Sequence, residues 1–259
     1  MHNSALNSFR SAVRNAVPLF ALLGICAMTR ADAQTTHKVS GSKVLLPGSS
    51  GVSTEHFRDT TISYRVVMDR LPNGDSTSSD RGVYRKETRH VTYQGRPAIL
   101  FISTIDMNGR SYVDSSAVLP NGMIPLWEVS TLGTRRTTYA YSGAKVRRSL
   151  TQPDSAKKVV EHDFGTPMFY FEALDDIIRS LPLRAGYQAI LPLYSEGDDG
   201  IEMDTVRVEG RDGAGVWNVR FADPVIIAQY GIDGRTRNIV RHEIGRHADR
   251  AHFRYVFDE

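Results

Sequence analysis

The chain has 259 residues, with 32 Lys and Arg, 29 Asp and Glu, and a single cysteine, Cys26. Charges this evenly matched give no long-range field to hold nucleic acid. One cysteine cannot make an internal disulfide, a redox pair or a thiolate metal cluster, and the length suits one β domain that buries its own core.

The first element is a leader. Residues 1–15 are polar and carry only basic charges, Arg10 and Arg14. Residues 16–28 form an apolar run, and Ala31-Asp32-Ala33 before Gln34 is a small-x-small cleavage site. Together they predict a secretory signal peptide over 1–33, too short to span a membrane, and no later stretch is apolar enough to do so. Leu23-Gly24-Ile25-Cys26 resembles a lipoprotein signal, but Ile25 stands where a small residue is required, so no lipid anchor is expected. Cleavage removes Arg10, Arg14, Arg30 and Asp32, leaving 29 basic and 28 acidic residues, a net of +1, and no cysteine. The expected location is the periplasm, or the exterior of a cell without an outer membrane.

Residues 34–57, rich in Ser, Gly and Thr, predict a flexible lead-in, and 58–259 a single β-rich domain. From 58, segments of Val, Ile, Thr and Tyr alternate with polar residues. Gln94-Gly95, Asn108-Gly109, Asn121-Gly122 and Ser142-Gly143 punctuate them, after Asn73-Gly74. Such pairs supply the positive φ of hairpin turns, and their spacing predicts about seven antiparallel strands between 58 and 151. Thr166-Pro167 followed by Phe171, Leu174, Ile177, Ile178 and Leu181 predicts one amphipathic helix over 167–181, with Glu172, Asp175, Asp176 and Arg179 on a solvated face. Strands resume at 186–194, 201–210, 215–222, 225–232, 235–244 and 252–257. About a dozen antiparallel strands must curl to protect their edges, and one helix suits the face so formed.

Catalytic motifs fail on spacing. His242-Glu243-Ile244-Gly245-Arg246-His247 puts its histidines five apart, not the four that a zinc-protease helix needs, and His252 is five further on. Ser142-Gly143-Ala144-Lys145 has the S-x-x-K spacing, but it spans a hairpin turn instead of opening a helix. Asp175-Asp176 and Asp198-Asp199 are adjacent residues that point apart on a helix or lie in a loop. No metal site or cofactor is expected. A dyad of carboxylates from separate strands leaves no sequence signature, so a hydrolase stays open. Aromatic and apolar residues remain: Trp127, Tyr139, Tyr141, Phe169, Tyr170, Phe171, Leu174 and Ile178 are core residues, or the lining of a cavity if the sheet encloses one.

Several segments share an order with a known family. They are Pro125-Leu126-Trp127-Glu128, the Tyr-rich strand from Thr137 to Tyr141, the helix from Phe171 to Leu183, Arg184-Ala185-Gly186-Tyr187, Val216-Trp217-Asn218 and Gln229-Tyr230-Gly231. Over 58–245 this order resembles a bacterial family of exported domains of unknown function, related in fold to the carriers that ferry lipoproteins across the periplasm. The resemblance implies an incomplete β-barrel: a large curved antiparallel sheet with one amphipathic helix packed on its concave side. The family has no agreed catalytic residues, so it transfers none. The expected function is non-enzymatic binding of a lipid, another apolar ligand or a lipidated partner in the concavity. The rivals are an envelope interaction or structural protein with a filled core, and a hydrolase with dispersed carboxylates.

Overall fold

The computed structural model describes residues 42–70, 78–153, 156–195, 200–223, 226–246 and 251–257. The predicted leader, residues 34–41, the Asn73-Gly74 turn, Asp198-Asp199 and His247 lie outside them. The chain is mainly β. A first meander contains β1 (Lys43–Val44), β2 (Thr60–Arg70), β3 (Ser78–Tyr93), β4 (Arg96–Met107), β5 (Arg110–Leu119), β6 (Ile124–Leu132), β7 (Arg135–Ser142), β8 (Lys145–Thr151) and β9 (Lys158–Asp163). Then come β10 (Phe169–Tyr170), a 3-10 turn (Phe171–Ala173) and the helix α1 (Leu174–Ser180). A second meander holds β11 (Gln188–Ser195), β12 (Gly200–Arg211), β13 (Val216–Ala222), β14 (Ile226–Asp233), β15 (Ile239–Arg246) and β16 (Ala251–Phe257).

The seven strands expected between 58 and 151 are β2 to β8, and the six expected after the helix are β11 to β16. Turn chemistry accounts for the accuracy: Gln94, Gly95, Asn108 and Gly109 all have positive φ in two-residue hairpins. Among the described residues, the short β1, β9 and β10 bring the total to sixteen strands instead of about a dozen.

Sheet order explains the helix. The two meanders join where β16 pairs antiparallel with β2, so the order runs β1, β11 to β16, β2, then on to β9. The chain leaves β9 at one edge and must re-enter at β11 near the other, and the crossing goes through the concave side. The sheet does not close. Its two arms meet instead through side chains, with Tyr139 of β7 and Phe164 after β9 each 5.9 Å, ring to ring, from Tyr194 of β11. The result is an incomplete barrel with one helix inside. That helix is neither long nor apolar enough to cross a membrane.

Two expectations need correction. The helix does not begin at Thr166-Pro167. Phe169 and Tyr170 are extended and pair parallel with Leu193 and Tyr194, and the helix end carries no side-chain cap. Tertiary pairing overrides the local start signal. Nor are residues 42–57 a loose lead-in. Lys43 and Val44 pair parallel with Ala189 and Ile190, and Leu45, Val52 and Phe57 are core residues. The segment then straps the concave side. Gly48 N donates to Gly122 O (2.8 Å), Thr54 Oγ1 to Pro120 O (2.7 Å) and Ser53 N to Ser180 O at the helix end (3.0 Å). Three spaced apolar residues, strand pairing and these hydrogen bonds hold it, although its composition is that of a loop.

Candidate functional site

Because α1 lies inside the curve, both sides of it meet sheet. Its apolar side buries Ile177 and Ile178 completely. Its polar side, expected in solvent, is also buried: Asp176 is 1% exposed and Arg179 3%. Burial of this kind is tolerable only when the charges are paired. Lys86 Nζ on β3 lies 2.7 Å from Asp176 Oδ2 and 4.0 Å from Asp175 Oδ2. Arg179 Nη1 donates to Asp176 Oδ1 (3.2 Å), and Tyr84 OH donates to Asp175 Oδ2 (3.2 Å). On the opposite arm, His242 Nδ1 of β15 is 3.8 Å from Asp175 Oδ1 and its ring stacks on Tyr230 at 4.0 Å. Arg179 Nε also donates to Arg237 O (2.9 Å) in the β14–β15 turn. The helix is therefore tied to both arms by buried polar contacts.

The environment sets each titration. Burial pushes Asp175 up, but His242, Lys86 and the Tyr230 and Tyr84 hydroxyls outweigh it, so the carboxyl ends below its ordinary range. Burial holds His242 down to about 4. At neutral pH that imidazole is uncharged, which leaves Lys86 as the cation acting on Asp175. Burial pushes Asp176 up, and Lys86 and Arg179 recover only part of that.

A second polar group sits on β5 and β6. Ser130 Oγ is 2.7 Å from Asp114 Oδ2 and 3.2 Å from Glu128 Oε1, so its one proton serves one carboxyl at a time. Tyr112 OH donates to Ser130 Oγ (3.2 Å) and Tyr141 OH to Glu128 Oε2 (3.0 Å). Burial raises Asp114 to about 6. Burial, then Glu172 and Asp114, pushes Glu128 well above its ordinary range. Two buried carboxyls side by side each oppose the other's ionisation.

Between these groups lies a cavity of about 30 Å³, lined by Tyr84, Tyr112, Asp114, Glu172, Asp175 and Tyr230 with apolar neighbours from β13 to β15. That is room for about two waters, against roughly 300–1,000 Å³ for a ligand pocket. Of the expected lining residues, only Phe171 and Leu174 face it. Phe169, Tyr139 and Ile178 are core, and Tyr141 packs on Tyr170 at 5.8 Å. Trp127 is half-buried beside Tyr93 (6.2 Å). Its strand neighbour Glu128 points inward, so alternation turns Trp127 outward.

The buried polar side chains of these groups that sequence reasoning did not consider as site candidates are Lys86, Asp114 and Glu128, while Glu172 was expected on a solvated face. The available signal was the alternation in Tyr84-x-Lys86 and Tyr112-x-Asp114-x-Ser116, which places each polar residue on the same face as a buried aromatic. A further group of three carboxylates, Glu202 and Asp204 of β12 with Asp223 after β13, brings oxygens within 4.8 Å of one another. Among the described residues this is the set with the number and spacing to hold a metal ion. Asp223 Oδ1 already accepts from Ile226 N (2.5 Å). Ser142 and Lys145 end β7 and begin β8 across a tight turn, and Lys145 faces Asp163 at 3.7 Å.

No family model matches the sequence, and neither the curated proteins nor the solved structures provide a match.

Proposed function

We propose that the chain is an exported, non-enzymatic envelope domain with a filled core, working through its surface. The observation that carries this reading is how little room the cavity beside the helix offers: about 30 Å³, where an apolar ligand would need roughly ten times more. The polar lining argues the same way, since an acyl chain there would strip water from Asp114, Glu172 and Asp175 without replacing it. The leader at 1–33 supports export, and the near-neutral mature chain supports specific contacts over general adhesion to charged polymers. The test is a titration of the mature protein with the apolar probe N-phenyl-1-naphthylamine, alongside cross-linking in a periplasmic extract. The reading expects no saturable probe binding and a discrete cross-linked partner. One probe bound per chain at micromolar affinity would overturn it in favour of a ligand carrier. N-terminal analysis should find Gln34 first, and a chain that keeps its leader would remove the export half of the proposal.

A hydrolase has one observation in its favour. Asp114, raised to about 6 at the edge of the cavity, has the environment of a general acid, with Glu172 as a second carboxylate on the same cavity. Turnover of any glycan or ester by the wild type that Asp114→Asn abolishes would favour it. A blank screen removes it.

A further inference from the structure

Three cationic side chains, Arg237, Arg179 and Arg58, act on the His56 ring where the strap passes the end of α1. Arg179 lies over the Phe57 ring, with its guanidinium carbon 4.7 Å from the centroid, and the His56 ring is 4.4 Å from Phe57 on the same strap. Arg58 Nη1 donates to Phe57 O (2.8 Å) and Glu55 O (2.5 Å). Arg237, from the β14–β15 turn, donates through Nη1 to Leu181 O (2.7 Å) and Arg179 O (3.4 Å), the carbonyls at the helix end.

The charge in this group is not balanced. Arg179 is paired with Asp176, but among the described residues no carboxylate lies within ion-pair distance of Arg58 or Arg237. The nearest acid in sequence, Asp59, is committed to His90 at 2.7 Å. Arg237 commits Nη1 alone, which leaves Nε and Nη2 as donors, and Arg58 is exposed with the same two groups unused. His56 is half-buried and its Nε2 has no hydrogen-bond partner. Burial, then Arg237, Arg179 and Arg58, holds that imidazole down to about 3, so it stays neutral and one ring nitrogen keeps its N–H.

Two guanidinium forks without carboxylates, beside an imidazole with an unmet ring nitrogen, have the donor set of an oxyanion site. We propose that Arg58, Arg237 and His56 bind one phosphate-type group at the mouth of the half-barrel. The partial negative charge of the helix end is no obstacle, because Arg237 already satisfies two of those carbonyls. The same chemistry is offered by free phosphate and by the headgroup of an anionic phospholipid. This site goes beyond the surface function above and does not depend on the core being filled.

The experiment uses the mature chain. Inorganic phosphate is titrated calorimetrically at constant ionic strength against chloride. In parallel, the protein is sedimented with vesicles of phosphatidylcholine, with and without phosphatidylglycerol. The expected result is saturable binding of one phosphate per chain, or sedimentation only with the anionic vesicles. The first assigns the site to a free anion and the second to a headgroup. Arg58→Gln and His56→Asn should each weaken that binding about tenfold, the loss of one charge-assisted or buried hydrogen bond, with unchanged thermal stability in chloride. Binding no stronger than the chloride and neutral-vesicle controls would overturn the proposal, as would Arg58→Gln binding as tightly as wild type.

Discussion

Lys86→Met cuts the link between the helix and the first arm of the sheet. The ammonium is 3% exposed, 2.7 Å from Asp176 and 4.0 Å from Asp175, and 5.9 Å above the Phe101 ring. Methionine keeps most of the volume and removes the charge, leaving two buried carboxylates against Arg179 alone. Removing one partner of a buried pair costs roughly 3–5 kcal/mol, because the remaining charge is stranded. For a domain of this size each kcal/mol lowers Tm by about 2–4 °C, so a fall of about 6–20 °C is expected. Urea unfolding followed by the fluorescence of Trp127 and Trp217 measures it directly. Adding Asp176→Asn to Lys86→Met should restore more than half of the loss, since the stranded charge goes with it. The deficit should also shrink in acid: burial already raises Asp176, so it takes up a proton readily as the pH falls. A Lys86→Met protein within about 0.5 kcal/mol of wild type, the range of ordinary surface changes, would refute the pairing argument.

Gly122 has φ +73°, and a Cβ there would come within 2.4 Å of Gly48 Cα, so Gly122→Ala should cost about 3 kcal/mol, read as a lowered urea midpoint. Phe57 is fully buried in a segment composed like a linker, and Phe57→Ala should cost about 3–5 kcal/mol; a loss under 1 kcal/mol would mean that the strap is not part of the core. Asp114, raised by burial from 3.8 to about 6, contributes stability that is fully present below 3.8 and lost as pH rises through about 6. Asp114→Asn lacks that dependence, so its urea midpoint should improve relative to wild type between pH 4 and pH 7.5, and parallel profiles would contradict the assignment.

The β ladder was legible because its information is local. The Asn-Gly and Gln-Gly turns set positive φ, and alternation between turns set the strands, so β2 to β8 and β11 to β16 follow from the two together. The short elements were not, because tertiary pairing makes them. Lys43–Val44 and Phe169–Tyr170 are strands only because β11 presents an edge to both. The largest misreading was the polar side of α1. Asp175, Asp176 and Arg179 at helical spacing read as a solvated face, since a sequence shows which residues share a face but not that the sheet curls around both faces. The paired groups of the concavity come from β3, β5, β6, β15 and the helix, so no spacing could join Lys86 to Asp176 or Asp114 to Glu128. The same holds for Arg58 and Arg237, which lie far apart in sequence and both act on the His56 ring.

The central claim is that the half-barrel is filled by its own helix and charges. Native mass spectrometry of the mature protein, purified from the envelope fraction without detergent, tests it most directly. The account predicts the mass of residues 34–259 with no lipid-sized adduct. A stoichiometric lipid adduct on the folded chain would contradict it, because the concavity would then have to open to hold the lipid.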